Sequence, residues 1–256
     1  LRGGLIAHIL DNYAERHALA IQWLHQLLIT NLRKGSARDK GEDECQWALG
    51  KLFDGLIERG NKAAGSIGRK ETDAVGETRN VTKLLAEAPC VGDACIERIR
   101  DLCERGDQRL KQLGLACLRT LIMHQDCWKG VCLERLLGYT ASEDEGLRGP
   151  AIRLVCGKLL ENDALAVEIE KHAVANLRLA CRLDATVAAD KMQVDTEAEQ
   201  QQLGVDKPRM HLFLSLCAQR HALLSHLLDT YLEASTAVRT GVHNAVSDMV
   251  RAIGPT

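Results

Sequence analysis

Apolar residues recur at steps of three and four along most of this sequence, the spacing of one face of an α-helix. The pattern is clearest near the C-terminus, at Val238, Val242, Ala245, Val246, Met249 and Ile253. Ser235 is placed to cap the start of this helix, and Gly254-Pro255 to end it. An apolar stripe stabilises a fold only when a neighbouring element covers it. The chain is therefore expected to consist of helices that pack on one another.

The composition supports an all-α fold. Aromatic residues make up only 3% of the 256 residues, and there are four prolines. Strands favour β-branched and aromatic side chains, whereas Leu, Ala, Glu and Arg, which are abundant here, favour helices.

The middle of the sequence predicts a helical hairpin. Pro89 ends the preceding segment, and Asp93 is a candidate N-cap for a helix with an apolar face. Gly106 can adopt the left-handed conformation that closes a helix, and Asp107 can cap the next one. Two helices joined by so short a turn must lie antiparallel.

The same pattern recurs in other segments, which predicts a series of hairpins. The segments are 5–13 with 18–28, 47–56 with 81–87, 131–137, 168–179, 208–218, 223–232 and the C-terminal helix. Ser142 and Glu145 fit a capping box, and Gly149-Pro150 either kinks the helix that follows or restarts it. Consecutive hairpins of low mutual identity are typical of a HEAT-like α-solenoid, with repeats of about 40–47 residues. A compact helical bundle is the alternative.

The domain prediction is one helical-repeat domain over 1–256. Because the sequence starts at Leu1 rather than Met, it is expected to be a fragment of a longer chain. Three ranges lack an apolar stripe and are rich in Gly, Gln or charge: 33–44, 60–78 and 184–207. They are predicted to be loops.

The ten cysteines are predicted to be reduced thiols that act as small apolar core residues. No pair has the Cys-x-x-Cys spacing of a zinc knuckle. The closest pairs, Cys90/Cys95 and Cys127/Cys132, are separated by five positions and diverge around a helix. No metal site is expected.

No known catalytic motif is present, so no enzymatic activity and no cofactor are expected. The glycines of 65–70 lack the spacing of a phosphate-binding loop. His221 and His226 lie on different sides of a helix, which disfavours a shared metal. The acidic run 143–145 could hold a cation but fits an ordinary helix start.

Charge and hydropathy argue against two further classes of protein, nucleic-acid binders and membrane-spanning proteins. The formal net charge is −2 and no Lys/Arg run exceeds two residues, so direct nucleic-acid binding is not expected. No apolar run is long enough to span a bilayer. The three tryptophans could either anchor a partner protein or fill the core, and a position in the core is favoured. They are Trp23, Trp47 and Trp128.

Several helical segments resemble the symplekin family over nearly the whole chain and in the same order. The resemblance is carried by Leu84-Leu85-Ala86-Glu87-Ala88-Pro89, by Ile96-Glu97-Arg98-Ile99-Arg100-Asp101-Leu102-Cys103-Glu104, by Leu113-Gly114-Leu115-Ala116-Cys117-Leu118-Arg119-Thr120-Leu121-Ile122, and by 8–13, 20–24, 169–173, 212–217 and 231–254. The three predicted loops and the number of cysteines depart from the family's pattern.

This resemblance implies a nuclear, non-catalytic scaffold of the pre-mRNA 3′-end cleavage and polyadenylation machinery. The segment is similar to the middle-to-C-terminal region of that family. Its implied partners are subunits of the cleavage and polyadenylation specificity factor, namely the cleavage endonuclease and its inactive homologue, together with the cleavage stimulation factor. The resemblance assigns no partner-binding residue. A transport or trafficking adaptor and an RNA-binding solenoid are the alternative functions, and neutral charge disfavours the latter.

Overall fold

The computed structural model describes residues 2–33, 44–64, 72–190, 206–234 and 236–253. Within these ranges every regular element is a helix, which confirms the all-α prediction. The chain divides into two compact units, Leu1–Leu133 and Glu134–Thr256. Each unit is described separately below, and the solenoid arrangement of a single domain stays a prediction.

The N-terminal unit is built from long helices around a leucine-rich core. Its helices are α1 (Arg2–Asp11), α2 (Tyr13–Arg33), α3 (Glu44–Ala64), α4 (Thr72–Glu87), α5 (Asp93–Arg105) and α6 (Gln108–His124), with the boundary between the units inside α7 (Lys129–Tyr139). α2 packs on α3 and α4, α3 on α4 and α5, and α6 on α4 and α5. The fully buried side chains include Leu24, Leu49, Phe53, Leu84, Ile99 and Leu118.

The predicted hairpin is present as α5 and α6. Asp107 caps α6 as expected, since its carboxylate accepts a hydrogen bond from the Leu110 amide at 2.8 Å. A Cβ at Gly114 of α6 would lie 2.5 Å from Sγ of Cys103 in α5, so glycine permits close helix packing. Contacts between residues at similar distances on either side of the turn are those of an antiparallel pair.

Two predicted helix boundaries differ from the structure. Gly92 occupies the N-cap of α5, and Asp93 is the first helical residue, where its charge still complements the helix dipole. Gly106 has φ −74° and ψ 162°, so it is extended rather than left-handed. A side chain there would place its Cβ 2.4 Å from the Leu102 carbonyl oxygen, which explains the glycine.

The C-terminal unit surrounds one long helix. Its elements are α8 (Glu145–Leu154), a π-helical turn (Val155–Leu159), α9 (Asp163–Asp190), α10 (Lys207–Cys217), a 3-10 turn (His221–Leu223), α11 (Leu224–Glu233) and α12 (Thr236–Ile253). α9 packs against α10, α11 and α12, and α10 also packs against α8 and α12. Ile169, Leu177, Phe213 and Leu216 lie in its core.

The predicted capping box of Ser142 and Glu145 is wrong, whereas the role of Pro150, which the sequence left open, is resolved by the structure. Asp144, rather than Ser142, is the N-cap, and its carboxylate accepts a hydrogen bond from the Gly146 amide at 2.9 Å. Ser142 instead accepts from the Asp144 amide at 3.2 Å. α8 runs through Pro150 without a restart, and the helix distorts only afterwards, at Gly157 in the π-helical turn.

Helices extend into two of the predicted loops. α3 continues to Ala64 and α4 starts at Thr72, both inside the predicted loop 60–78. α9 reaches Asp190, inside 184–207, and α10 starts at Lys207. Some of the residues in these predictions lie outside the described residues. They are 34–43, 65–71 and 191–205 of the three predicted loops, and the capping residues Ser235 and Gly254-Pro255.

Two cysteines are not the reduced thiols that the sequence predicted. Cys45, at the start of α3, forms a disulfide with Cys90, which precedes α5. The Cys-x-x-Cys spacing was examined for a metal site, and it has no bearing on a pair of cysteines that are 45 positions apart. Cys95 and Cys117 are free and buried, and burial raises the pKa of Cys95 to about 12. Such a thiol stays protonated and unreactive at neutral pH.

Candidate protein-interaction surface

α11 is an amphipathic helix whose apolar face is open to solvent. None of its residues is buried. Leu224, Leu228, Tyr231 and Leu232 are 41%, 62%, 37% and 71% exposed. Their spacing of four, seven and eight residues places them on one face of the helix. These four residues are called the α11 stripe below.

The C-terminal end of α11 is held in place by α12. Arg239 donates hydrogen bonds to the carbonyl oxygens of Tyr231 at 3.0 Å and Leu232 at 2.8 Å. Carbonyls in the last turn of a helix lack a partner within the helix, so Arg239 satisfies two of them. Its guanidinium also lies 5.6 Å from the centre of the Tyr231 ring. The stripe is therefore presented on a positioned helix.

Acidic residues border the α11 stripe. Asp229 and Glu233 are exposed on the same helix, and in the described parts of the chain neither forms an ion pair. A surface that combines exposed leucines with an acidic edge is complementary to an apolar face with a basic edge.

The other side of α11 forms a groove of about 370 Å³ with α9. Val167 and Val174 of α9 line it together with Leu223 and His226. Two charged residues at this groove are already paired: Glu170 bonds Arg220 at 2.7 Å, and Lys171 bonds Glu168 at 3.2 Å. Arg178 also lines the groove and forms no ion pair in the described part of the chain, so the groove adds one positive charge beside α11.

The residues that the sequence offered as sites do not assemble into one. Trp23, Trp47 and Trp128 are all half-buried, and the Trp128 indole N–H donates to the Val91 carbonyl at 3.0 Å. His221 is exposed at the 3-10 turn and His226 lines the groove. Within the described ranges, no group of three or more His, Cys, Asp or Glu side chains is arranged to hold a metal ion.

The α11 stripe was missed because the sequence cannot tell which leucines of a leucine-rich helix are covered. The segment 223–232 has leucines at 223, 224, 227, 228 and 232, which surround much of the helix. Only the packing shows that Leu223 is buried while Leu228 and Leu232 are exposed.

No family model matches the sequence, and no solved structure matches the chain. Across the residues that the structure describes, none of the helices combines the length and apolar character needed to cross a membrane.

Proposed function

We propose that this chain is a non-catalytic scaffold that binds partner proteins through the α11 stripe. The observation that carries the proposal is the exposure of Leu228 and Leu232 on a helix that is held in place at its C-terminal end. Contiguous exposed apolar side chains mark interaction surfaces in folded proteins. Leucines that face water in the isolated chain become stabilising once a partner removes them from solvent.

The occupant that fits the stripe is an amphipathic helix of a partner protein, with a basic border along its apolar face. Such a helix would cover the leucines and place Lys or Arg opposite Asp229 and Glu233. A second copy of this chain fits less well. In a two-fold symmetric contact the same stripe meets itself, and the acidic borders of both copies would come together.

The resemblance to the symplekin family makes the proposal specific. It supports a nuclear scaffold of the 3′-end cleavage and polyadenylation complex that holds the cleavage endonuclease and its inactive homologue. The all-helical fold is compatible with this role, and α-solenoids present extended surfaces of this kind.

Direct binding of the purified chain to the purified endonuclease pair tests the proposal. Leu232→Glu places a charge in the stripe and is expected to weaken binding about tenfold or more, because it opposes burial of the surface. Leu32→Glu on α2 is the matched control, since Leu32 is 73% exposed and Leu232 is 71% exposed. Equal affinities of the two variants, at unchanged helicity, would contradict the assignment of the stripe.

A further inference from the structure

A second groove lies within the N-terminal unit, between α2 and α4. It has a volume of about 380 Å³ and is lined by Ala14 and His17 of α2 and by Gly76, Arg79, Asn80 and Lys83 of α4. An added Cβ at Gly76 would contact no atom within 4 Å, so the groove is open at this position. The volume suits a small ligand or a side chain of a larger one.

The polar groups of this groove are mainly donors. Arg79 and Lys83 lie one helical turn apart and are both exposed. Among the described residues neither side chain has an ion-pair partner. The Asn80 amide lies between them in sequence and is half-buried. Two adjacent cations without a counterion repel each other, and a bound anion would relieve that repulsion.

Bonds within the unit hold the floor of the groove. His17 is 5% exposed. Its Nε2 lies 2.7 Å from the Glu87 carboxylate and its Nδ1 lies 2.8 Å from the Tyr13 hydroxyl. A carboxylate only accepts hydrogen bonds, so the Nε2–H of His17 donates to Glu87. Glu87 lies one helical turn beyond Lys83, and no ion pair joins the two in the described part of the chain.

Burial keeps the Tyr13 hydroxyl protonated, because desolvation raises its pKa well above the usual value for tyrosine. The groove thus has a floor held by hydrogen bonds and two exposed cationic side chains at its rim.

We propose that the α2–α4 groove binds a phosphate monoester through Arg79 and Lys83. The guanidinium offers a planar fork of donors and the ammonium a compact charge, and together they match a dianion with three terminal oxygens. A carboxylate carries one charge and two oxygens, so it would leave one of the cations unmatched. The carrier of the ester would occupy the rest of the groove, over Gly76 and Ala14.

Calorimetric titration of the purified chain at constant ionic strength tests this inference. The probes are phenyl phosphate, inorganic phosphate and acetate. Arg79→Gln and Lys83→Gln each remove one cation and are expected to weaken phenyl phosphate binding about tenfold. Gly76→Leu keeps both cations but fills the groove, and it is expected to weaken phenyl phosphate more than inorganic phosphate. Lys51→Gln, an exposed lysine of α3, is the control.

The outcomes separate the sources of the phosphate group. Tighter binding of phenyl phosphate than of inorganic phosphate supports a monoester presented on a carrier, whereas equal binding would overturn the monoester assignment in favour of free phosphate. Binding of acetate as tight as that of phenyl phosphate, or an equal loss in Lys51→Gln, would overturn the proposal. Circular dichroism of each variant checks that the helices are retained. The titration uses no partner protein, so its result does not depend on whether the α11 stripe binds one.

Discussion

The amide of Gln125 completes a helix to which it does not belong. Gln125 follows α6, yet its Nε2 donates to the carbonyl oxygens of Leu85 and Ala88, each at 3.1 Å, at the end of α4. Carbonyls in the last turn of a helix have no partner within the helix. This single side chain therefore fixes the end of α4 against the end of α6.

Gln125→Leu is expected to lower the free energy of unfolding by about 1–3 kcal/mol, because half-buried carbonyls lose their donor. Urea denaturation followed by circular dichroism measures the change. Gln22→Leu on α2, where the side chain is exposed, is the control and should change the stability by less than about 0.5 kcal/mol. Equal stabilities of the two variants would show that the bonds of Gln125 contribute nothing.

The disulfide between Cys45 and Cys90 bears on the proposed location. It closes a segment with a sequence separation of 45 and in the chain-entropy model stabilises the fold by up to about 4 kcal/mol. Nuclear proteins are kept reduced. A nuclear scaffold is therefore expected to contain these residues as thiols in the cell, and to form the bond on oxidation.

Alkylation of intact nuclei before lysis, followed by peptide mass spectrometry, checks this expectation. Cys45 and Cys90 should both be labelled once the chain is denatured in the presence of the alkylating agent. Cys127, which is exposed and free, reports the efficiency of labelling. Recovery of the intact Cys45–Cys90 cross-link would contradict a location in a reducing compartment.

The helical hairpin of α5 and α6 depends on a glycine at its contact. Gly114 is expected to tolerate no side chain, because an added Cβ would lie 2.5 Å from Sγ and 3.2 Å from the backbone nitrogen of Cys103. Gly114→Ala should lower the free energy of unfolding by about 1–3 kcal/mol. Thermal and urea denaturation measure it.

Gly138→Ala in α7 is the matched control for Gly114. Gly138 has no atom within 4 Å of an added Cβ, so alanine should be neutral or stabilise the helix by up to about 1 kcal/mol. If both alanine variants had the same stability, the close approach of α5 and α6 would not be limiting.

A helix could be predicted from the sequence where an apolar stripe coincides with a residue that marks the start of the helix. The segment 108–122 has such a stripe, and Asp107 marks its start, so α6 was predictable. The first half of α4, from Thr72 to Arg79, has no stripe, and its helical structure was not predicted. Packing of Val81, Leu84 and Leu85 in the second half stabilises the helix, and propagation from there carries it towards Thr72.

The candidate sites were less predictable because both depend on tertiary packing. The α11 stripe is defined by which leucines remain uncovered. The α2–α4 groove joins His17 to Arg79 and Lys83, which are more than sixty positions apart in sequence. No local pattern in the sequence brings these residues together.

At the scale of the whole molecule, two compact helical units carry surfaces with different chemistry. The N-terminal unit has the basic groove between α2 and α4, and the C-terminal unit has the acidic-edged α11 stripe. Surfaces of different chemistry on one chain suit a scaffold, because they select different ligands.

Affinity capture of the protein from nuclear extract, with mass spectrometry of the bound proteins, tests the scaffold proposal most directly. We expect recovery of the cleavage endonuclease together with its inactive homologue, and their loss when Leu228 and Leu232 are both changed to Glu. The double change should leave helicity intact, since both side chains are exposed. Recovery of transport or coat proteins without either nuclease subunit would contradict it.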